Sequence, residues 1–93
     1  MRDSSTTNPY AKAEQLCNDL FKKNGLHFEM RHVKDRDYGV VYKIYDIPFE
    51  GRAKALCSGM GPGPALEYLA AYYTGPNADK VKMVYQQFRN STV

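Results

Sequence analysis

The stretch GMGPGPALEYLAAYY, Gly59 to Tyr73, sets three glycines and two prolines in six residues and then runs directly into a helical pattern. A glycine-rich turn that opens a helix is where backbone N–H groups and the helix dipole can hold a phosphate, provided donors and a cation are within reach. Pro62 and Pro64 have no N–H, and Glu67 brings a carboxylate to the start of the helix. The competing reading is a rigid turn that starts the helix, with Pro64 suited to its first turn and the glycines permitting close approach to a neighbouring element. Elsewhere, "CSG" at Cys57 to Gly59 offers a thiol and a hydroxyl without an assigned base. Cys17 and Cys57 have neither CxxC spacing nor a histidine cluster, so both read as buried thiols. His27 and His32 stand five residues apart with no third ligand and read as surface histidines. With no carboxylate pair, Cys–His pair or Ser–His constellation in view, the sequence points away from an enzyme and calls for no metal or cofactor.

The chain of 93 residues has room for one domain, and 43% hydrophobic with 13% aromatic content is enough for a core. Tyrosine does much of that work, with eight Tyr and no Trp. A net charge of +3 is compatible with a polyanionic partner without requiring one. No apolar run approaches the roughly 20 residues that span a bilayer, and the first residues, MRDSSTTN, are polar rather than signal-like. The expectation is an intracellular protein of cytoplasm or nucleus, with reduced cysteines and no membrane association.

The elements that would position these residues follow from periodicity. Residues 1–8 read as a flexible leader in which Asn8 caps a helix and Pro9 takes its first position. Ala13, Leu16, Cys17, Leu20 and Phe21 repeat at helical spacing, and Lys22, Lys23, Asn24 and Gly25 end the helix. LHFEMRHV and VVYKIYDI alternate as strands of a hairpin around KDRDYG. After Pro48 and a turn at Glu50 and Gly51, a third strand is expected over Ala53 to Ser58. A second helix carries Leu66, Leu69, Ala70 and Tyr73, and a third, capped by Asn77, buries Val81, Val84, Tyr85 and Phe88. The fold class is α+β: a three-stranded antiparallel sheet covered on one face by helices in the order α-β-β-β-α, plus an extra C-terminal helix.

The order and spacing of LCNDLFKKNGLHFEM, VVYKIYDI and GMGP…LEYLAAYY resemble the double-stranded-RNA-binding domain, whose first helix leads through a GL-x-x-E/Y motif into a three-stranded sheet. The resemblance spans residues 9–74, leaving 75–93 as a helical extension of the same domain. In that family the second helix opens with a Gly-x-Gly turn, then SKKxAK, then two small residues. Gly59 and Gly61 match the turn, and Ala70 and Ala71 match the small pair. The lysine positions, which bridge phosphates across the RNA major groove, fall here on Gly63, Pro64 and Glu67. The family's GPxH loop aligns with VKDRDYG, which contains neither proline nor histidine. The resemblance thus implies a degenerate member, one that uses its sheet edge, helices or C-terminal segment to bind another protein or to dimerise.

The resulting expectation is a non-catalytic protein-interaction or adaptor module in an RNA-processing or RNA-silencing assembly, with a protein partner or a second copy as ligand. Its interface would draw on Arg52, Lys54, Leu56, Tyr68, Tyr72 and Tyr85, the tyrosines serving as amphipathic anchors. Tyr68 and Tyr72 share a helical side away from Leu66 and Leu69 and should be exposed. The alternatives are weak, direct binding of duplex RNA through Glu14, Gln15, Lys22, Lys23, Lys34 and Arg36, or a small inhibitor of phage or mobile-element origin with the same element order.

Overall fold

In a computed structural model that describes residues 9–47 and 51–92, the order is α1 (Pro9–Lys23), β1 (Phe28–Asp35), β2 (Gly39–Asp46), β3 (Lys54–Gly59), α2 (Pro62–Tyr72) and α3 (Ala78–Thr92). The leader with Asn8, and Pro48 with Glu50, lie outside the described residues. The sheet is antiparallel in the order β1-β2-β3 and carries its helices on one face, the architecture expected. The third strand is displaced by one residue from the expected Ala53–Ser58, because Gly59 still pairs with Tyr42.

Local chemistry sets each boundary. Gly25 takes φ 73°, which lets the Leu26 N–H turn back to the Phe21 carbonyl at 2.8 Å and close α1. In the β1–β2 turn the Asp35 carboxylate accepts from the N–H groups of Asp37 (2.8 Å) and Tyr38 (3.0 Å), and Gly39 supplies the positive φ that returns the chain to its partner. Between β2 and β3 the register slips: Ile44 faces Cys57 while Tyr45 faces Ala55, so Leu56 is an extra residue. Such a bulge re-aims a side chain. Cys57 keeps its place toward α2, with its thiol 3.5 Å from the Ala65 carbonyl, and Leu56 is also brought against the core.

The helix-facing side of the sheet presents Phe28, Met30, Tyr42 and Ile44, all buried. Cys17, Leu20 and Phe21 of α1 and Ala65, Leu66 and Leu69 of α2 meet them. The backbone of α3 packs on α1 and α2 rather than on the sheet, and those two helices contact each other only slightly. Val81, Val84 and Phe88 of α3 are buried there, each contributing on the order of 2 kcal/mol. The C-terminal helix is therefore part of the core. Tyr85, expected to be buried with them, is half-buried because its ring lies under the Arg89 guanidinium, 5.7 Å away. Tyr73 is half-buried and meets Phe28 edge to face.

Gly59 explains part of the glycine-rich turn. A Cβ at this position would lie 2.7 Å from the Ala65 backbone nitrogen, so only glycine allows α2 to fold back so closely on β3. α2 starts at Gly61 in extended conformation with Pro62 following, and no side chain caps it.

The outer edge of β1 is sealed by side chains of α1. Asn18 bonds the Met30 N–H (2.7 Å) through its carbonyl oxygen and donates to the Met30 carbonyl (3.2 Å), and Glu14 accepts from the His32 N–H two residues on. An amide can do both at once because it carries a donor and an acceptor like the peptide it replaces. Replacing it by an apolar side chain of similar size leaves two strand-edge groups without partners. We expect Asn18→Leu to lower unfolding stability by about 2 kcal/mol in urea titration, against less than about 0.5 kcal/mol for Gln15→Leu on the exposed side of the same helix.

Candidate functional site

Antiparallel pairing alternates residues that bond to a neighbouring strand with residues whose backbone faces away. On β1 the outward set contains Met30 and His32, whose groups meet α1. The same alternation directs Ile44 and Tyr42 toward β3, where Cys57 and Gly59 answer them, and so turns the backbone of Ser58 outward. Among the described residues nothing bonds to that outer edge. The sheet has one sealed edge and one open edge.

Beside the open edge lies a groove of about 250 Å³ lined by Leu56, Cys57, Tyr68, Leu69, Tyr72 and Tyr73, with Thr74 and Gly75 at its end. Tyr68 and Tyr72 stand one helical turn apart with ring centroids 4.6 Å from each other, 52% and 67% exposed, as expected from the sequence. Lys54 opens β3 and Arg52 precedes it; both are exposed, and neither forms an ion pair among the described residues. The groove brings together Leu56, Tyr68 and Tyr72 of the expected interface residues, while Arg52 and Lys54 precede Leu56 along the chain. Tyr85 is on α3, away from β3.

The expected RNA-contacting residues are spread differently. α1 runs antiparallel to β1, since Asn18 meets Met30 and Glu14 meets His32. Lys22 therefore sits near Phe28, while Lys34 and Arg36 lie at the far end of the strand, about 20 Å away at the rise of a β-strand. Gln15 is exposed and donates to Asp19 at 2.9 Å. Glu14 turns inward to His32, whose Nδ1 it also touches. At the start of α2, Glu67 is exposed and Pro64 flanks it.

His32 differs from the expectation for a surface histidine. It is half-buried, held by Glu14 and stacked on the Tyr10 ring at a centroid distance of 5.4 Å, with Tyr42 tilted against it. The Glu14 carboxylate reaches both the His32 N–H and the ring Nδ1, and so ties this side chain and the β1 edge to α1. The sequence signal was the Glu14–Asn18 pair, one helical turn apart beside the apolar stripe. The groove floor at Tyr73, Thr74 and Gly75 was also missed, because a helix stop carries no sign of what it packs against.

On the open face of the sheet Arg31 bonds Glu29 at 2.9 Å and lies 5.0 Å from the Tyr45 ring centroid. Among the described residues no group of three or more His, Cys, Asp or Glu is placed to hold a metal ion, and no helix is long and apolar enough to cross a membrane. No family description, curated protein or solved structure matches the chain.

Burial pushes the Cys17 thiol up to about 12 and the Cys57 thiol up to about 11. Both stay protonated near neutrality, unlike an activated cysteine. The folded pKa values exceed that of an unfolded thiol, about 8.5, so this contribution to stability is complete below that pH and is lost as pH rises toward 11–12. Iodoacetamide at pH 8 should label Cys57 about two orders of magnitude more slowly in the native chain than in urea, and Cys17 only upon unfolding, as read by peptide mass spectrometry.

Proposed function

We propose that this chain is a non-catalytic protein-interaction module resembling a degenerate double-stranded-RNA-binding domain, and that it docks partners through the open edge of β3 and the adjoining tyrosine groove. The observation that carries this reading is the inequality of the two sheet edges. α1 satisfies β1 with Asn18 and Glu14, whereas the outward backbone of β3 at Ser58 has no partner among the described residues. An edge of this kind accepts an added strand, with main-chain bonds supplying affinity and neighbouring pockets supplying selectivity. Exposed Tyr68 and Tyr72 place rigid amphipathic anchors next to it. An assembly concerned with RNA processing or silencing is the setting that the family resemblance suggests.

Duplex RNA fits this surface less well. Pro62 and Pro64 withdraw N–H donors from the start of α2, Glu67 adds a carboxylate, and the pairs Lys22–Lys23 and Lys34–Arg36 lie at opposite ends of α1. Each missing phosphate contact removes about one unit of salt slope.

Ser58 is the position to test, since its N–H makes no ladder bond and a proline there leaves the pairing with β2 intact. We expect Ser58→Pro to keep the native circular dichroism spectrum and to abolish capture of partners recovered by the wild-type chain from native cells. Retention of the same partners would move the interface to the helices. Titration with labelled duplex RNA should show only weak binding near 150 mM salt; sub-micromolar affinity with a steep salt slope would replace the adaptor reading by direct RNA binding.

A further inference from the structure

We propose that the occupant of the β3 edge is an extended, acidic segment of a partner protein. It lies as a fourth strand with an aliphatic side chain in the Leu56–Tyr68–Tyr72 groove and carboxylates on Arg52 and Lys54. The inference rests on the interaction-module reading above and specifies the chemistry of its partner.

Three features of the site select this occupant. The first is the backbone: the unpaired groups at Ser58 require a ligand that alternates N–H and C=O at strand spacing, which a polypeptide has and an RNA backbone lacks. The second is the groove, apolar along Leu56 and Leu69 and walled by the tilted Tyr68 and Tyr72 rings. A branched aliphatic side chain projecting from an added strand meets its lining, and the two hydroxyls stay wet.

Charge is the third. Phe28, Asp46 and Lys54 stand abreast in the register, and Lys22 shares a surface hollow with Phe28 and Ile47. Lys22, Lys23, Arg52 and Lys54 therefore collect at one end of the sheet, and the carboxylates there among the described residues are Asp46 on β2 and Glu29 on β1, the latter paired with Arg31. The C-terminus of α2 also ends at this groove and has no basic residue in its last turn, but its dipole amounts to about half a negative charge. Among the described residues, four full cations outweigh these two carboxylates and that half-charge, so the field at the groove mouth attracts acidic groups.

A second copy of this chain fits worse. Antiparallel pairing of β3 with itself would carry Arg52 and Lys54 of one copy past Gly59 and Met60 of the other, where Lys43 shares the hollow and the Asp35 carboxylate already accepts from the N–H groups of Asp37 and Tyr38.

The test uses the full chain and two fluorescein-labelled peptides, EDVTLTVT and KKVTLTVT, which share the alternating strand pattern and differ in terminal charge. We expect the acidic peptide to bind at least about tenfold more tightly by fluorescence anisotropy, and to shift the amide resonances of β3 and the ring resonances of Tyr68 and Tyr72. The double charge reversal Arg52→Glu with Lys54→Glu, both at exposed positions, should invert the preference without altering the melting temperature. Equal affinity, preference for the basic peptide, no binding of either up to about 1 mM, or displacement of the acidic peptide by a short RNA at lower concentration would each overturn the proposal. If the peptide ranking fails while Ser58→Pro still abolishes partner capture, the acidic occupant falls and the edge-docking reading stands. If the acidic peptide binds Ser58→Pro as well as wild type, docking at the strand edge itself is wrong.

Discussion

The side chains of Asn18 and Glu14 on the outer edge of β1 are the contact on which the remaining arrangement turns. They hold three strand-edge groups, the Met30 N–H and carbonyl and the His32 N–H, through bonds from a single face of α1. Because these bonds fix which residues of α1 stand beside which residues of β1, they also set the depth at which Cys17, Leu20 and Phe21 enter the core. A polar clamp of this kind adds little net energy per bond, about 1 kcal/mol, but leaving its partners unmade would be costly. It specifies the position of the helix more than it drives folding.

With α1 placed against one edge and α2 folded tightly on β3 through Gly59, the two helices stand apart and α3 fills the space over them. Val81, Val84 and Phe88 complete a core that α1, α2 and the sheet do not close. The same placement leaves β3 with an outward backbone and sets Tyr68 and Tyr72 beside it. The proposed docking surface is thus a consequence of how the helices divide the sheet, and the basic end formed by Lys22, Lys23, Arg52 and Lys54 follows from the antiparallel course of α1 and the strand register.

Much of this was legible in the residues. The three-four spacing of Cys17, Leu20 and Phe21, with Leu16 partly buried beside them, and the alternation of Phe28 and Met30 reported real buried faces, because apolar burial sets those periods directly. Exposure of Tyr68 and Tyr72 followed from their helical side. The bulge at Leu56 did not announce itself, since one extra residue in a short Ala-rich strand leaves no periodic trace. Nor did the Glu14–His32 and Asn18–Met30 bonds, which join residues 18 and 12 positions apart and depend on a packing angle no local pattern encodes. The prolines and Glu67 argued against a phosphate cradle at GMGPGP from the start, and the geometry adds a structural duty for Gly59: backbone contact with α2.

One edge of the sheet is sealed and the other is open, a difference that amide hydrogen exchange of the unliganded chain reads residue by residue. The Met30 and His32 amides, each bonded to an α1 side chain, should exchange as slowly as the paired amides of β2, while the Ser58 amide exchanges near the rate of an unprotected peptide. Strong protection of Ser58 together with fast exchange at Met30 and His32 would contradict it.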